Sequence, residues 1–129
     1  MLRIVVDTNV VVSAFLSPGG NPAKIIDLIT DNELRICYSA EILAEYIDVL
    51  SRPRFNFSEI DRDNFIQGMK RFGLLVKPPI SNIPLPDEDD RYFYDVAYFC
   101  DAILVTSNIK HYPTEPFIVT STEFISLLQ

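Results

Sequence analysis

Two short polar runs each follow an apolar, β-branched run. Asp7-Thr8-Asn9 comes after Ile4-Val5-Val6, and Thr106-Ser107-Asn108 comes after Ile103-Leu104-Val105. Taken singly, each is ordinary turn chemistry, because Asp, Asn, Ser and Thr all favour strand-to-helix turns. Two further carboxylates lie at the margins of apolar helical faces. On a wheel of about 100° per residue, Ile42, Leu43, Tyr46, Ile47, Val49 and Leu50 form one face, with Glu45 at its edge and Glu41 and Asp48 well away. Glu45 there is either a snorkelling boundary residue or a carboxylate held against a sheet. Phe93, Val96, Ala97 and Cys100 form a second inward face, with Asp90 at its margin and Asp95 on the solvent side. Asp87, Glu88 and Asp89 crowd the same helix start. The helix dipole favours acids there, but mutual repulsion means that it does not require four in a row.

Asp7, Glu45 and Asp90, with Asn108, thus occupy elements that can converge at one end of a sheet. Uncompensated carboxylates in one pocket force each other's pKa upward unless a cation joins them. Oxygen ligands without Cys or paired His suit Mg²⁺ or Mn²⁺ rather than zinc. The matching chemistry is metal-assisted attack of water on a phosphodiester.

The elements that must position these groups alternate. Leu2 to Val6 reads as a strand covered on both faces, followed by a segment from Asn9 to Leu16. Asn21-Pro22 predicts a helix with Asn21 as its cap. Leu34 to Tyr38 is a second strand, and Ser39 caps a helix to Leu50. Ser58 to Arg71 is a more polar helix stopped by Gly73, and Leu74 to Val76 is a third strand. A stiff, proline-rich connection runs from Lys77 to Pro86. A helix from Asp89 to Cys100, strands Ile103 to Thr106 and Phe117 to Val119, and a helix opened by a capping box at Thr120-Ser121-Thr122-Glu123 complete the chain. This order predicts one α/β domain over residues 1–129, with a mostly parallel sheet of about five strands and helices on both faces. In such sheets ligands bind beyond the carboxyl ends of the strands.

Composition narrows the classes. At 129 residues and 48% hydrophobic, the chain can bury a real core and is no disordered tail. No apolar run approaches the roughly 20 residues of a membrane span, and no export signal opens the sequence. The expected setting is therefore the cytoplasm, with Cys37 and Cys100 as buried thiols rather than a disulfide. The net charge of −7 argues against holding nucleic acid by broad charge attraction. That acidity is concentrated, however: Asp87 to Asp95 contains five acids and one Arg. It marks a pocket that needs a divalent cation before a phosphate can approach.

With these residues in order, the chain resembles the PIN-domain nucleases along nearly its whole length. The resemblance rests on the strand ending in Asp7-Thr8-Asn9 and on the helix Ser39-Ala40-Glu41-Ile42-Leu43-Ala44-Glu45, followed by Leu50-Ser51-Arg52-Pro53-Arg54-Phe55. It continues in Asp87-Glu88-Asp89-Asp90 and in Leu104-Val105-Thr106-Ser107-Asn108. It implies a three-layer α/β/α sandwich and Mg²⁺- or Mn²⁺-dependent cleavage of RNA. It is nearest to the group of toxin–antitoxin toxins (VapC-like), with a cognate antitoxin and a homodimer as expected partners. By position, Asp7, Glu45 and Asp90 match the acidic metal ligands, Asn9 a polar residue that orders the first, and Thr106 a hydroxyl beside the site. Asn108 is a departure, because many PIN domains carry a fourth Asp there; Asp95 is a replacement carboxylate if its helix is rotated.

Two rival readings stay open. One is a PIN fold that binds RNA or a protein without cutting, which Asn108 keeps alive. The other is a phosphoacceptor receiver domain, which would need paired acids beside the first strand where this chain offers only Asp7. His111 reads as a surface-loop histidine. Lys24, Arg52, Arg54 and Lys110 read as flanking cations, and the aromatics Tyr92 to Phe99 as core or dimer surface.

Overall fold

A computed structural model describes residues 1–129. Five parallel strands, β1 (Arg3–Val6), β2 (Arg35–Tyr38), β3 (Leu74–Leu75), β4 (Ile103–Val105) and β5 (Ile118–Val119), lie in the order β3-β2-β1-β4-β5. Helices α1 (Thr8–Leu16), α2 (Asn21–Thr30), α3 (Ala40–Leu50), α4 (Glu59–Phe72), α5 (Arg91–Cys100) and α6 (Ser121–Leu127) cover the sheet as an α/β/α sandwich. Ile4, Val5 and Val6 of the central strand have no solvent exposure. A continuous apolar run is what a parallel strand covered on both faces requires. No helix is long and apolar enough to cross a membrane.

The strand order creates the functional edge. The chain leaves β1 for β2 on one side, then returns from β3 through α5 to place β4 on the other side of β1. Connections therefore diverge at the carboxyl ends of β1 and β4, the crevice where open α/β sheets take ligands. Val6 pairs in register with Val105, and the Asp7 amide donates to the Val105 carbonyl at 2.9 Å. Asp7 and Thr106 are thus fixed side by side by backbone pairing alone.

Caps set the other boundaries. The Ser39 hydroxyl accepts from the Ile42 amide at 3.3 Å, and Thr120 and Glu123 form the expected capping box. Three local expectations change. Gly20, in extended conformation, rather than Asn21, caps α2; Asn21 is its first residue, and its side chain donates to Thr122 Oγ1 of α6 at 3.1 Å. Ile47 is 43% exposed although the wheel put it on the apolar face, because α3 packs against α1 and α5 through its Ile42–Tyr46–Leu50 side. The helix expected from Asp89 opens instead as a 3₁₀ turn over Glu88–Asp90. Cys37 and Cys100 are buried and free, as expected.

Gly73 ends α4 at φ −80°, which any residue can adopt, so its role is steric. A Cβ there would lie 2.5 Å from the Met69 carbonyl oxygen and 3.0 Å from both Ile36 Cγ2 and the Ile36 carbonyl oxygen. Backbone atoms cannot retreat as a side chain can. Gly73→Ala is expected to cost about 1–3 kcal/mol by overpacking, read as a lowered urea midpoint at unchanged slope. An unchanged midpoint would show that the α4–β2 junction is loose.

Candidate active site

Asp7 follows the last residue of β1 and is 7% exposed. Its Oδ2 accepts from Thr106 Oγ1 at 2.9 Å and from the Tyr112 hydroxyl at 3.0 Å, while Oδ1 takes no hydrogen bond. The carboxylate is held by one edge with the other free. Thr106 in turn accepts from the Asn108 amide at 3.0 Å through the same Oγ1. One hydroxyl therefore fixes both the first acid and the turn that carries Asn108. Asn9 is exposed and makes no hydrogen bond to Asp7; the ordering expected of it falls to Thr106 and Tyr112.

The four consecutive acids divide their work. Asp87 Oδ1 caps the 3₁₀ turn by accepting from the Asp89 amide at 2.9 Å. Glu88 pairs with Arg91 at 2.6 Å, and Asp89 is exposed. Asp90 makes no capping bond and turns toward Asp7. Its buried Oδ2 has no aligned hydrogen-bond donor, and His111 Nδ1 lies 3.2 Å from it. Burial first, then the charges of Asp7 and Asp87, push the Asp90 carboxyl up to about 6, against a smaller opposite pull from His111.

That shift has a sign. In the unfolded chain Asp90 ionises near 4, so the folded protein binds its proton more tightly. Between about pH 4 and 6 the folded state carries the extra proton, and stability contributed by this group falls as pH rises through that window. Melts in chelator are expected to give a lower Tm at pH 7 than at pH 5, with the slope reduced in Asp90→Asn. Identical slopes in the two proteins would mean that Asp90 is already neutralised by its surroundings.

Glu45, on α3, is half-buried and accepts from the Thr8 hydroxyl, which places it beside the residue after Asp7. It also lines a cavity of about 610 Å³ between α3, the start of α5 and the 77–80 segment, together with Glu41, Lys77, Asp89, Tyr92 and Asp95. Tyr46 Oη donates to the Val6 carbonyl. Burial, with the nearby charges of Asp7 and Glu45, raises its phenol well above the usual value. Tyr112 is raised by burial foremost, then by the charges of Asp7 and Asp90.

Asp95 departs from the wheel. It is 4% exposed, not on the solvent side, and it accepts from the Ser81 amide at 3.2 Å and faces Arg91 Nη1 at 3.6 Å. The proline-rich connection lies over this side of α5 and buries it. Arg91 fastens that connection with hydrogen bonds to the Ser81 and Ile83 carbonyls at 2.9 and 2.8 Å. Asp95 is therefore occupied with holding the cover of α5. Of the aromatics, Phe93 and Tyr94 are core, while Tyr92, Tyr98 and Phe99 are exposed.

The structure thus brings Asp7, Asp90, Thr106 and Asn108 together, sets Glu45 alongside, and adds two groups that the sequence did not single out as members. Tyr112 is 4% exposed and bonded to Asp7. His111 is on the surface, as expected, yet bridges Asp90 and Asn108: its Nε2 lies 2.8 Å from Asn108 Nδ2. An aromatic in the polar run Lys110-His111-Tyr112-Pro113 was the available signal.

Residues 3–110 match the PIN domain family model. The chain belongs to the PIN-domain family. An uncharacterized protein of Methanocaldococcus jannaschii is 30% identical over 110 residues, covering 83% of this chain and 71% of that protein. No solved structure matches the chain. Membership points to a nuclease in general, and PIN nucleases generally use divalent metals. The donor set fits such a cation: Asp87, Asp90 and His111 each offer a ligand atom within 4.8 Å of the others, and neither Asp7 nor Asp90 is paired with a Lys or Arg.

Proposed function

We propose that this PIN domain is a divalent-metal-dependent endoribonuclease acting in the cytoplasm as the toxin of a toxin–antitoxin pair. The observation that carries the reading is the pair Asp7–Asp90. The two carboxylates share the crevice beyond β1 and β4, near enough for the charge of Asp7 to help raise the Asp90 carboxyl, with no Lys or Arg to balance them. Asp7, Glu45 and Asp90 would hold Mg²⁺ or Mn²⁺, and the Asn108 side chain would add a neutral oxygen. When bound there, a divalent cation would offset the negative charge on the phosphoryl oxygens. Thr106 and Tyr112 keep Asp7 Oδ1 pointed away from its own hydrogen bonds and available. Glu45, which takes the Thr8 hydrogen bond and lines the cavity, would accept a proton from the attacking water. Tyr92, 54% exposed on the cavity wall, offers a face for an RNA base, and Lys77, without an ion-pair partner, offers a phosphate contact.

The test is cleavage of single-stranded RNA by purified protein with Mn²⁺, against the same assay in chelator and with Asp7→Asn. Equal cleavage by both proteins would point to a contaminant and end the assignment. A small DNA-binding-like protein encoded just upstream is the companion observation that the toxin reading requires. Homodimerisation is part of the same proposal, with the exposed Tyr98 and Phe99 of α5 as the apolar surface it would cover; sedimentation measures it. Asn108 favours one second reading, a non-cutting RNA- or protein-binding module. That reading is upheld if RNA is retained uncut and titration of Mn²⁺ shows no site that Asp90→Ala removes.

A further inference from the structure

We propose that His111 is a metal ligand of this site, beside the neutral Asn108, and that it turns the preference of the site from Mg²⁺ toward Mn²⁺. The inference rests on the nuclease reading for the existence of the site, and on separate geometry for the ligand. His111 lies in a 3₁₀ turn, Ile109–His111, that is tied down at both ends to the Asp7 network. Before it, the Asn108 amide is bonded to Thr106 Oγ1, and the Asn108 carbonyl accepts the His111 amide at 3.1 Å. After it, Tyr112 is buried with its hydroxyl on Asp7 Oδ2. A histidine between two such anchors has little freedom to leave.

One ring nitrogen faces the acids, while Nε2 lies 2.8 Å from Asn108 Nδ2. His111 Nδ1 is 3.2 Å from Asp90 Oδ2, a buried oxygen with no aligned donor, and the His111 side chain remains 46% exposed, open to an ion arriving from solvent. Asp87, whose Oδ1 alone is used in capping, completes a triad with ligand atoms within 4.8 Å of one another. Hard Mg²⁺ prefers an all-oxygen shell, whereas an imidazole among carboxylates is better tolerated by Mn²⁺ and the later divalent ions. With Asn108 offering only a neutral oxygen, the imidazole nitrogen adds a softer donor that discriminates between the two ions.

His111 is the only histidine, which makes the test unambiguous in protein carrying no polyhistidine tag. Mn²⁺ is titrated into metal-free wild type, His111→Ala and Asp7→Asn, with affinity and pulsed paramagnetic-resonance spectra recorded for each, and Mg²⁺ is added in competition. Wild type is expected to show imidazole ¹⁴N modulation on bound Mn²⁺. In His111→Ala that modulation disappears and Mn²⁺ affinity falls about tenfold or more, the size of effect that loss of a supporting metal-site group produces, while Mg²⁺ affinity changes far less. His111→Asp is expected to bind both ions without the nitrogen signal and with the preference narrowed. Mn²⁺ bound to wild type with no imidazole signal, yet lost in Asp7→Asn, would overturn the His111 assignment and leave the nuclease reading standing. No Mn²⁺ binding to wild type would remove both.

Discussion

Asp7→Asn is expected to lower Mn²⁺-dependent RNA cleavage by roughly a thousandfold or more, equivalent to about 4 kcal/mol of transition-state stabilisation. The substitution is nearly isosteric. An Asn oxygen can still accept from Thr106 Oγ1 and the Tyr112 hydroxyl, the two bonds that hold the Asp7 edge. What is lost is the negative charge and the second oxygen, Oδ1, which makes no hydrogen bond inside the protein. The fold should therefore survive, with Tm in chelator unchanged or slightly raised, because Asp7 is one of the charges that burden Asp90. Loss of cleavage at preserved Tm places the effect in the chemistry. Loss of cleavage with a collapsed Tm would instead make Asp7 a structural residue.

Tyr46→Ala is expected to be the most destabilising single change, at about 3–5 kcal/mol, the range for truncating a fully buried aromatic. Tyr46 is wholly buried, its ring meeting Phe65 of α4 and Phe93 of α5 at centroid distances of 5.9 and 6.4 Å. It is the point at which three helices share one contact. Against a total stability of about 5–15 kcal/mol, such a loss leaves the protein marginal. Tyr46→Phe separates ring from hydroxyl: it keeps the packing and strands the Val6 carbonyl, at a cost of about 1–3 kcal/mol. Val6 immediately precedes Asp7, so the Phe variant should also lose activity out of proportion to its stability. Chemical denaturation of both variants, with cleavage assayed well below their midpoints, checks the pair. Full activity in Tyr46→Phe would show that the Val6 carbonyl does not govern the position of Asp7.

The adjacency of Asp7 and Thr106 in the candidate site was legible in the sequence because backbone pairing places them. Asp7 and Thr106 each follow a run of buried β-branched or aliphatic residues, and parallel register then makes them neighbours without help from side chains. Glu45 was legible as the one acid at the edge of an inward face. The errors share a cause. A helical wheel knows only its own helix, so it could not see that the 77–86 segment covers the outer side of α5 and buries Asp95. It likewise ignored that nothing packs over Ile47. His111 and Tyr112 sit in a turn too short to carry a period, and Tyr112 meets Asp7 across 105 residues of sequence.

The 77–86 connection carries a thermodynamic consequence. It contains Pro78, Pro79, Pro84 and Pro86 and no regular element. Ordering irregular backbone ordinarily costs about 1–2 kcal/mol per residue in conformational entropy. Pyrrolidine rings have already removed part of that freedom from the unfolded chain, so less is surrendered when the segment settles. That is why Arg91 and Asp95, with Ile83 and Leu85 packed against the core, hold ten residues without a strand or helix. The same economy links distant parts: because Arg91 also clasps Glu88, the cover of α5 and the turn bearing Asp87 and Asp90 share a single fastening, and opening one loosens the other.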